Sequence, residues 1–269
     1  MKRANSLSVL SPFALCSVAF ALAPTFTARA TDDAKPPAPV VVELFTSEGC
    51  SSCPPADALL MKFENAQPIQ GAKVIAIEEH VDYWNHDGWT DPYSSADWTQ
   101  RQVDYVLKFK DKTPYTPQMI VDGQTQMTGA QEPQARDAIQ QAASQPQTDI
   151  TLAGGDSSGN SQDFKVRVGK LTGNTDKDSA EIWLAVTESG LASSVKAGEN
   201  AGRDLRHAPV LRSLHKIGTA RGNGDTTFDS STKVKFNSTW KRQNVQIVVF
   251  IQDKKSMRIL GAAAVPAST

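Results

Sequence analysis

Residues 40–60 read VVVELFTSEGCSSCPPADALL. The run from Val40 to Phe45 is apolar except for Glu43 and rich in β-branched residues. It gives way to the polar Thr46, Ser47 and Glu48, which predicts a buried strand that ends there. Gly49 lets the backbone turn sharply. Cys50-Ser51-Ser52-Cys53 follows, then Pro54-Pro55. Proline suits a first helical turn, where its missing N–H had no partner. Ala56 to Phe63 continues with good helix formers. The stretch therefore predicts a strand, a short loop and a helix opened by two cysteines.

Two cysteines separated by two residues at a helix N-terminus have a specific chemistry. The thiolate is the nucleophile, and the helix dipole favours negative charge there. Cys50, at the open edge, is expected to attack; Cys53, one turn in and more buried, is expected to resolve the mixed disulfide. A CxxC framed by strand and helix resembles the thioredoxin-like superfamily, where the motif lies between the first strand and first helix.

Outward toward the N-terminus, Met1 to Ala30 reads as a secretory signal peptide. Lys2 and Arg3 precede an apolar stretch from about Leu7 to Ala23, and Ala28-Arg29-Ala30 offers an A-x-A cleavage site. A membrane anchor is the competing reading, disfavoured by Pro12, Pro24 and the short apolar run. Cleavage near Ala30 leaves a periplasmic or secreted chain of 239 residues with no membrane span. Lys2, Arg3 and Arg29 leave with the signal, so 25 basic residues face 29 acidic ones. That balance argues against a nucleic-acid partner. Cys16 also leaves, so Cys50 and Cys53 are the only mature cysteines, and an oxidising compartment favours their disulfide.

Thr31 to Pro39 reads as a disordered, proline-rich lead-in. The pattern then predicts strands at 73–78, 118–121 and 124–128, and helices at 97–109 and 132–143. In the first of those helices Val103, Tyr105, Val106 and Leu107 are expected to face the core, with Arg101, Asp104 and Lys108 in solvent. Asp122-Gly123 predicts a tight hairpin. The order β-α-β-α-β-β-α over residues 40–146 resembles a thioredoxin-like core. The resemblance implies a cis peptide bond before Pro117, with Thr116 contacting substrate. It also implies a buried acid beneath the CxxC. Glu43, seven positions before Cys50, is the candidate proton carrier, although a one-residue shift of register would turn it to the other face.

Residues 80–95, HVDYWNHDGWTDPYSS, form an aromatic and acidic insertion. Trp84 and Trp89 suit a substrate-binding rim or lid near the cysteines. A copper site built from Cys50, Cys53, His80 and His86 is a second reading, and a structural loop a third. From Ser144 the composition shifts. Strand-like runs at 149–154, 163–169, 180–188, 232–237, 245–253 and 259–265 predict a small antiparallel β domain over residues 147–269, sandwich-like in form. Within it, residues 198–213 hold Arg203, Arg206, His207 and Arg212, read either as a basic hairpin docking on the acidic insertion or as a solvated loop.

ELFTSEGCSSCPPAD, HVDYWNHDGWTDPYSS with Arg101-Gln102, YTPQMIVDG and GENAGRDLRHAPVLRSL together are similar to a family of secreted thioredoxin-like proteins, the domain of unknown function 1223. The expected fold class is thus α/β, a thioredoxin-like domain followed by a small β domain. The expected activity is thiol–disulfide exchange with protein or small thiols and disulfides. Cys50 is the nucleophile, Cys53 the resolver and Glu43 the proton carrier, while Thr116, Pro117, Trp84 and Trp89 shape the groove. No organic cofactor is implied. A copper-binding or copper-delivery protein, and a binding module with an inert Cys50–Cys53 bridge, are the other classes.

Overall fold

The computed structural model describes residues 1, 36–172, 180–220 and 224–268. The expected export segment 1–30, apart from Met1, and the lead-in as far as residue 35 lie outside the described residues. The chain then runs β1 (Ala38–Thr46), α1 (Pro54–Ala66), β2 (Ala72–His80), α2 (Ala96–Phe109), β3 (Gln118–Val121), β4 (Thr125–Thr128) and α3 (Glu132–Ala143). It continues with β5 (Ile150–Ser158), β6 (Ser161–Gly169), β7 (Ala180–Glu188), β8 (Ala192–Ser194), β9 (Asp204–Arg206), β10 (Val210–Ala220), β11 (Thr226–Lys235), β12 (Val245–Asp253) and β13 (Ile259–Pro266).

β1 therefore begins inside the segment expected to be disordered. Its alternation divides the core. Val40, Val42 and Leu44 pack with Ala56, Leu60 and Phe63 of α1 and Ile139 of α3. Val41 and Phe45 face the opposite side, toward Trp98 and Tyr105 of α2. α2 starts where the Ser95 hydroxyl accepts the Asp97 N–H at 3.2 Å, a side-chain cap that satisfies an orphan donor. Its buried face is Trp98, Arg101, Gln102, Tyr105 and Val106. The expected face was rotated from this one: Arg101 is buried, whereas Leu107 is 70% exposed.

The sheet overturns the expected fold class. One mixed eight-stranded sheet runs in the order β13-β12-β7-β10-β2-β1-β3-β4. The strands of the second half thus extend the sheet of the first. Thirteen strands and three α-helices among the described residues make a mostly β chain, not a thioredoxin-like α/β core followed by a separate sandwich. The joint is β10, which pairs parallel to β2 through Val210 and Glu78 and antiparallel to β7 along its length. The core on the α2 side is shared: Val41, Ile75 and Trp98 pack with Leu211, Phe250 and Ile259. The sheet also curls back on itself, since the Ile259 N–H donates to the Asp122 carbonyl at 2.9 Å. β11, β6 and β5 form a three-stranded sheet over β7 and β12, with Phe164, Val166 and Phe236 against Leu184, Val186 and Ile247.

Candidate functional site

β1 ends at Thr46, and a turn closed by the Cys50 N–H on the Ser47 carbonyl (3.1 Å) presents the cysteine loop. Cys50 and Cys53 are joined in a disulfide, their Cα atoms 5.5 Å apart. Cys53 is the N-cap of α1, and Pro54 and Pro55 occupy the first helical positions, as the sequence predicts. The expected difference in exposure is absent: Cys50 is 1% exposed and Cys53 0%. Ser51 and Ser52 carry the exposed surface of the loop.

Two segments cover the pair. The first is the 81–95 loop. At Gly49 an added Cβ would lie 2.8 Å from the Trp84 carbonyl oxygen, so only glycine lets these backbones approach. The Trp84 indole N–H donates to Thr116 Oγ1 at 2.8 Å, and Trp89 Nε1 donates to Glu48 Oε2 at 3.0 Å. Trp84, Trp89 and Thr116 are therefore gathered around the cysteine loop. The Thr116–Pro117 bond is cis. An added Cβ at Gly129 would meet both Ala56 and Pro117, which places Pro117 beside the first turn of α1.

The second cover is the turn between β8 and β9. Asn200 Nδ2 donates to the carbonyls of Glu48 and Cys50, both at 2.9 Å, and Glu199 Oε2 accepts the Ser51 N–H at 3.0 Å. The segment read as a basic hairpin does dock on the insertion. The Arg212 guanidinium lies 5.5 Å over the Tyr93 ring, and Tyr93 stands edge-on to His207. Sequence reasoning passed over Asn200 and Glu199, although GENAGRD had marked the segment.

Glu43 is buried, but not beneath the cysteines. It lies on the α2 face of β1, opposite α1. Arg101 Nε donates to its Oε1 at 2.6 Å, and the Tyr105 hydroxyl donates to Oε2. Nearby Glu79, pushed well up by burial and then by the charge of Glu43, completes this second polar cluster. One buried acid on the cysteine side is Asp57, one turn beyond Cys53. Its Oδ1 accepts the Thr46 hydroxyl at 2.7 Å. Burial, followed by the charge of Glu78, holds its carboxyl well above the usual range.

Next to the cysteine loop, at the C-terminal end of β2, lie Glu78 and His80, with His207 arriving from the end of β9. Glu78 Oε1 lies 2.9 Å from His80 Nε2 and 3.1 Å from His207 Nδ1. His80 Nδ1 faces Asp91 Oδ2 at 2.7 Å, and His207 Nε2 faces Glu48 Oε1 at 2.9 Å. Burial alone would lower the histidines. The carboxylates outweigh it: Asp91 and Glu78 hold His80 well above its ordinary value, and Glu48 and Glu78 bring His207 to about 9. The copper set of the second reading is not drawn together: Cys50 and Cys53 are bonded to each other, His80 is buried, and His86 is half exposed, 3.0 Å from Asp87.

A family model described as protein of unknown function (DUF1223) matches residues 41–252. This chain belongs to the DUF1223 family. Two solved structures resemble this DUF1223 chain over most of its length. Protein AGR_C_4864 from Agrobacterium tumefaciens is 25% identical, with a TM-score of 0.64 over 87% of this chain and 97% of that one. HBP35 of Porphyromonas gingivalis is 12% identical, with a TM-score of 0.60 over 87% and 76%; that likeness is one of fold. No curated protein matches the chain. Among the described residues, no helix is long and apolar enough to cross a membrane.

Proposed function

We propose that this chain is an exported thiol–disulfide redox protein, periplasmic or secreted, whose working centre is Cys50–Cys53. The observation that carries the reading is the disulfide at the N-terminal turn of α1, which joins the only two cysteines left once the N-terminal segment is removed. Reduction by a partner dithiol balances as follows. One partner thiolate attacks Cys50 Sγ and forms a mixed disulfide, while Cys53 leaves as a thiolate at the positive end of the helix. The second partner thiol then displaces Cys50. The partner departs as a disulfide, and both cysteines are left reduced. Asp57, a buried acid one turn beyond Cys53, is our candidate to exchange a proton with Cys53.

The burial of both sulfurs supports a second reading, a disulfide that only braces the loop. The two separate in one experiment. A Cys53→Ser variant expressed with its export signal is expected to accumulate mixed disulfides through Cys50, whereas Cys50→Ser traps almost nothing. A glutathione redox titration of the wild type is expected to give a defined potential. A disulfide that resists reduction until the protein unfolds, with equal trapping by both variants, would establish the bracing role instead.

A further inference from the structure

We infer that Glu78, His80 and His207 form a binding site for one divalent transition-metal ion of the zinc class. One ligand atom from each of Glu78, His80 and His207 lies within 4.8 Å of the other two, and all three residues are buried. Zinc binds imidazole nitrogen and carboxylate oxygen at about 2.0–2.2 Å. Ligands around such an ion stand roughly 3.3 Å apart in tetrahedral geometry. The contacts from Glu78 Oε1, 2.9 Å to His80 and 3.1 Å to His207, need to open by only a few tenths of an ångström.

What distinguishes this cluster from an ordinary buried network is the far side of each ring. His80 Nδ1 is held by Asp91, whose Oδ2 also accepts the Glu48 N–H (2.8 Å) and whose Oδ1 accepts the Tyr93 N–H (2.9 Å). His207 Nε2 is held by Glu48, whose other oxygen accepts the Trp89 indole N–H. Each imidazole thus aims one nitrogen at a common point and gives the other to an anchored carboxylate. Outer carboxylates orient the ligating histidines of metal sites in this way.

Every ring nitrogen of both histidines faces a carboxylate oxygen, and the two rings stand 4.8 Å apart, centroid to centroid. Two imidazoles and one carboxylate suit zinc, cobalt or ferrous iron; calcium and magnesium prefer oxygen ligands. An open cavity of about 460 Å³, lined in part by Met61, Glu64, Arg206 and His207, borders the cluster at His207. The inference does not depend on the redox reading.

The test uses the full oxidised protein, stripped with a chelator and titrated with Co(II) and Zn(II). We expect one equivalent by native mass spectrometry, with Co(II) absorption of nitrogen and oxygen ligation and no thiolate charge-transfer band. The Cys50→Ser/Cys53→Ser double variant keeps the ion. His80→Gln and His207→Gln each lose it. Asp91→Asn, which leaves all three ligands in place, weakens binding about 10–100-fold, and keeps the test decisive if the histidine variants fail to fold. A wild type that takes up no stoichiometric ion, a double cysteine variant that loses it, or folded histidine variants that retain it would overturn the assignment.

Discussion

Asn200 ties together the backbone on either side of Gly49, its amide donating to the Glu48 and Cys50 carbonyls at 2.9 Å each. It does so from 150 residues downstream of Cys50. Gly198 and Gly202, both at positive φ, bracket the turn that carries it.

The first prediction concerns that turn. Asn200→Ala removes two hydrogen bonds worth about 1 kcal/mol each. If thiols reach Cys50 by displacing the turn, dithiothreitol should reduce the disulfide on the order of tenfold faster, with a modest loss of thermal stability. Stopped-flow reduction followed by mass spectrometry measures the rate. A lower Tm with an unchanged reduction rate would show that thiols approach from elsewhere.

The 81–95 loop should separate partner binding from thiol chemistry. Trp84→Ala removes the indole that reaches Thr116 and leaves the backbone and Cβ beside Gly49 in place. Protein partners should be trapped less well by the Cys53→Ser background, while small-molecule disulfides are reduced as fast or faster. A parallel loss of both activities in a folded variant would put Trp84 in the chemistry.

Why the sequence misplaced Glu43 is visible in the strand itself. A β-strand side chain has two choices, and seven residues of spacing to Cys50 do not decide between them. The neighbours decide: Val42 and Leu44 join the α1 core, so Glu43 must join Arg101 and Tyr105. The elements from β1 to α3 were legible because turn and helix-start residues bound them, as with Pro54-Pro55 at α1 and Asp122-Gly123 between β3 and β4. β10 was not. Its sequence, VLRSLHKIGTA, has no sustained alternation, because irregularities between Leu211 and Ser213 and between Lys216 and Gly218 reset its facing twice. Missing that strand hid the joint between the two halves, and with it the single sheet. His207 was noticed only as one charge in a basic stretch; what it meets is Glu78, 129 positions away.

Arg101 offers a test of the α2-side cluster. It reaches Glu43 through Nε and lies 3.6 Å from Glu79. Arg101→Gln leaves two carboxylates facing each other in the core. Unfolding by urea should show a loss of about 3–5 kcal/mol, the usual cost of breaking a buried pair from one side. Adding Glu43→Gln should recover part of it. A loss below about 1 kcal/mol, the range of exposed pairs, would mean that water reaches the cluster.

Asp122 sets a pH dependence. Burial pushes its carboxyl up to about 7, even though the Val41 N–H donates to it at 2.8 Å. A carboxyl raised on folding binds its proton more tightly in the native state. Stability from this group is therefore full below about pH 4, falls as pH rises toward 7, and levels off above it. Asp122→Asn keeps the acceptor and suits the positive φ of 45° at this position. It should flatten that slope and stabilise the protein at pH 8 by on the order of 2–4 kcal/mol. A wild-type denaturation midpoint that does not fall between pH 5 and pH 8 would contradict this.

The seam at Glu78 has a consequence for biogenesis. Its backbone N–H takes the Pro209 carbonyl, its Oε2 takes the Ala208 N–H and its Oε1 meets His207. One residue of β2 thus waits for a segment synthesised long afterwards. Until residues 199–210 emerge and dock, Glu48 and Glu78 lack the partner they find in His207, and the cysteine loop lacks its second cover. During that interval the cysteines lie under the 81–95 loop alone; once the late segment docks, Asn200 and Glu199 hold the loop as well. The order of synthesis therefore gives other proteins an easier approach to Cys50 and Cys53 early than the finished molecule does.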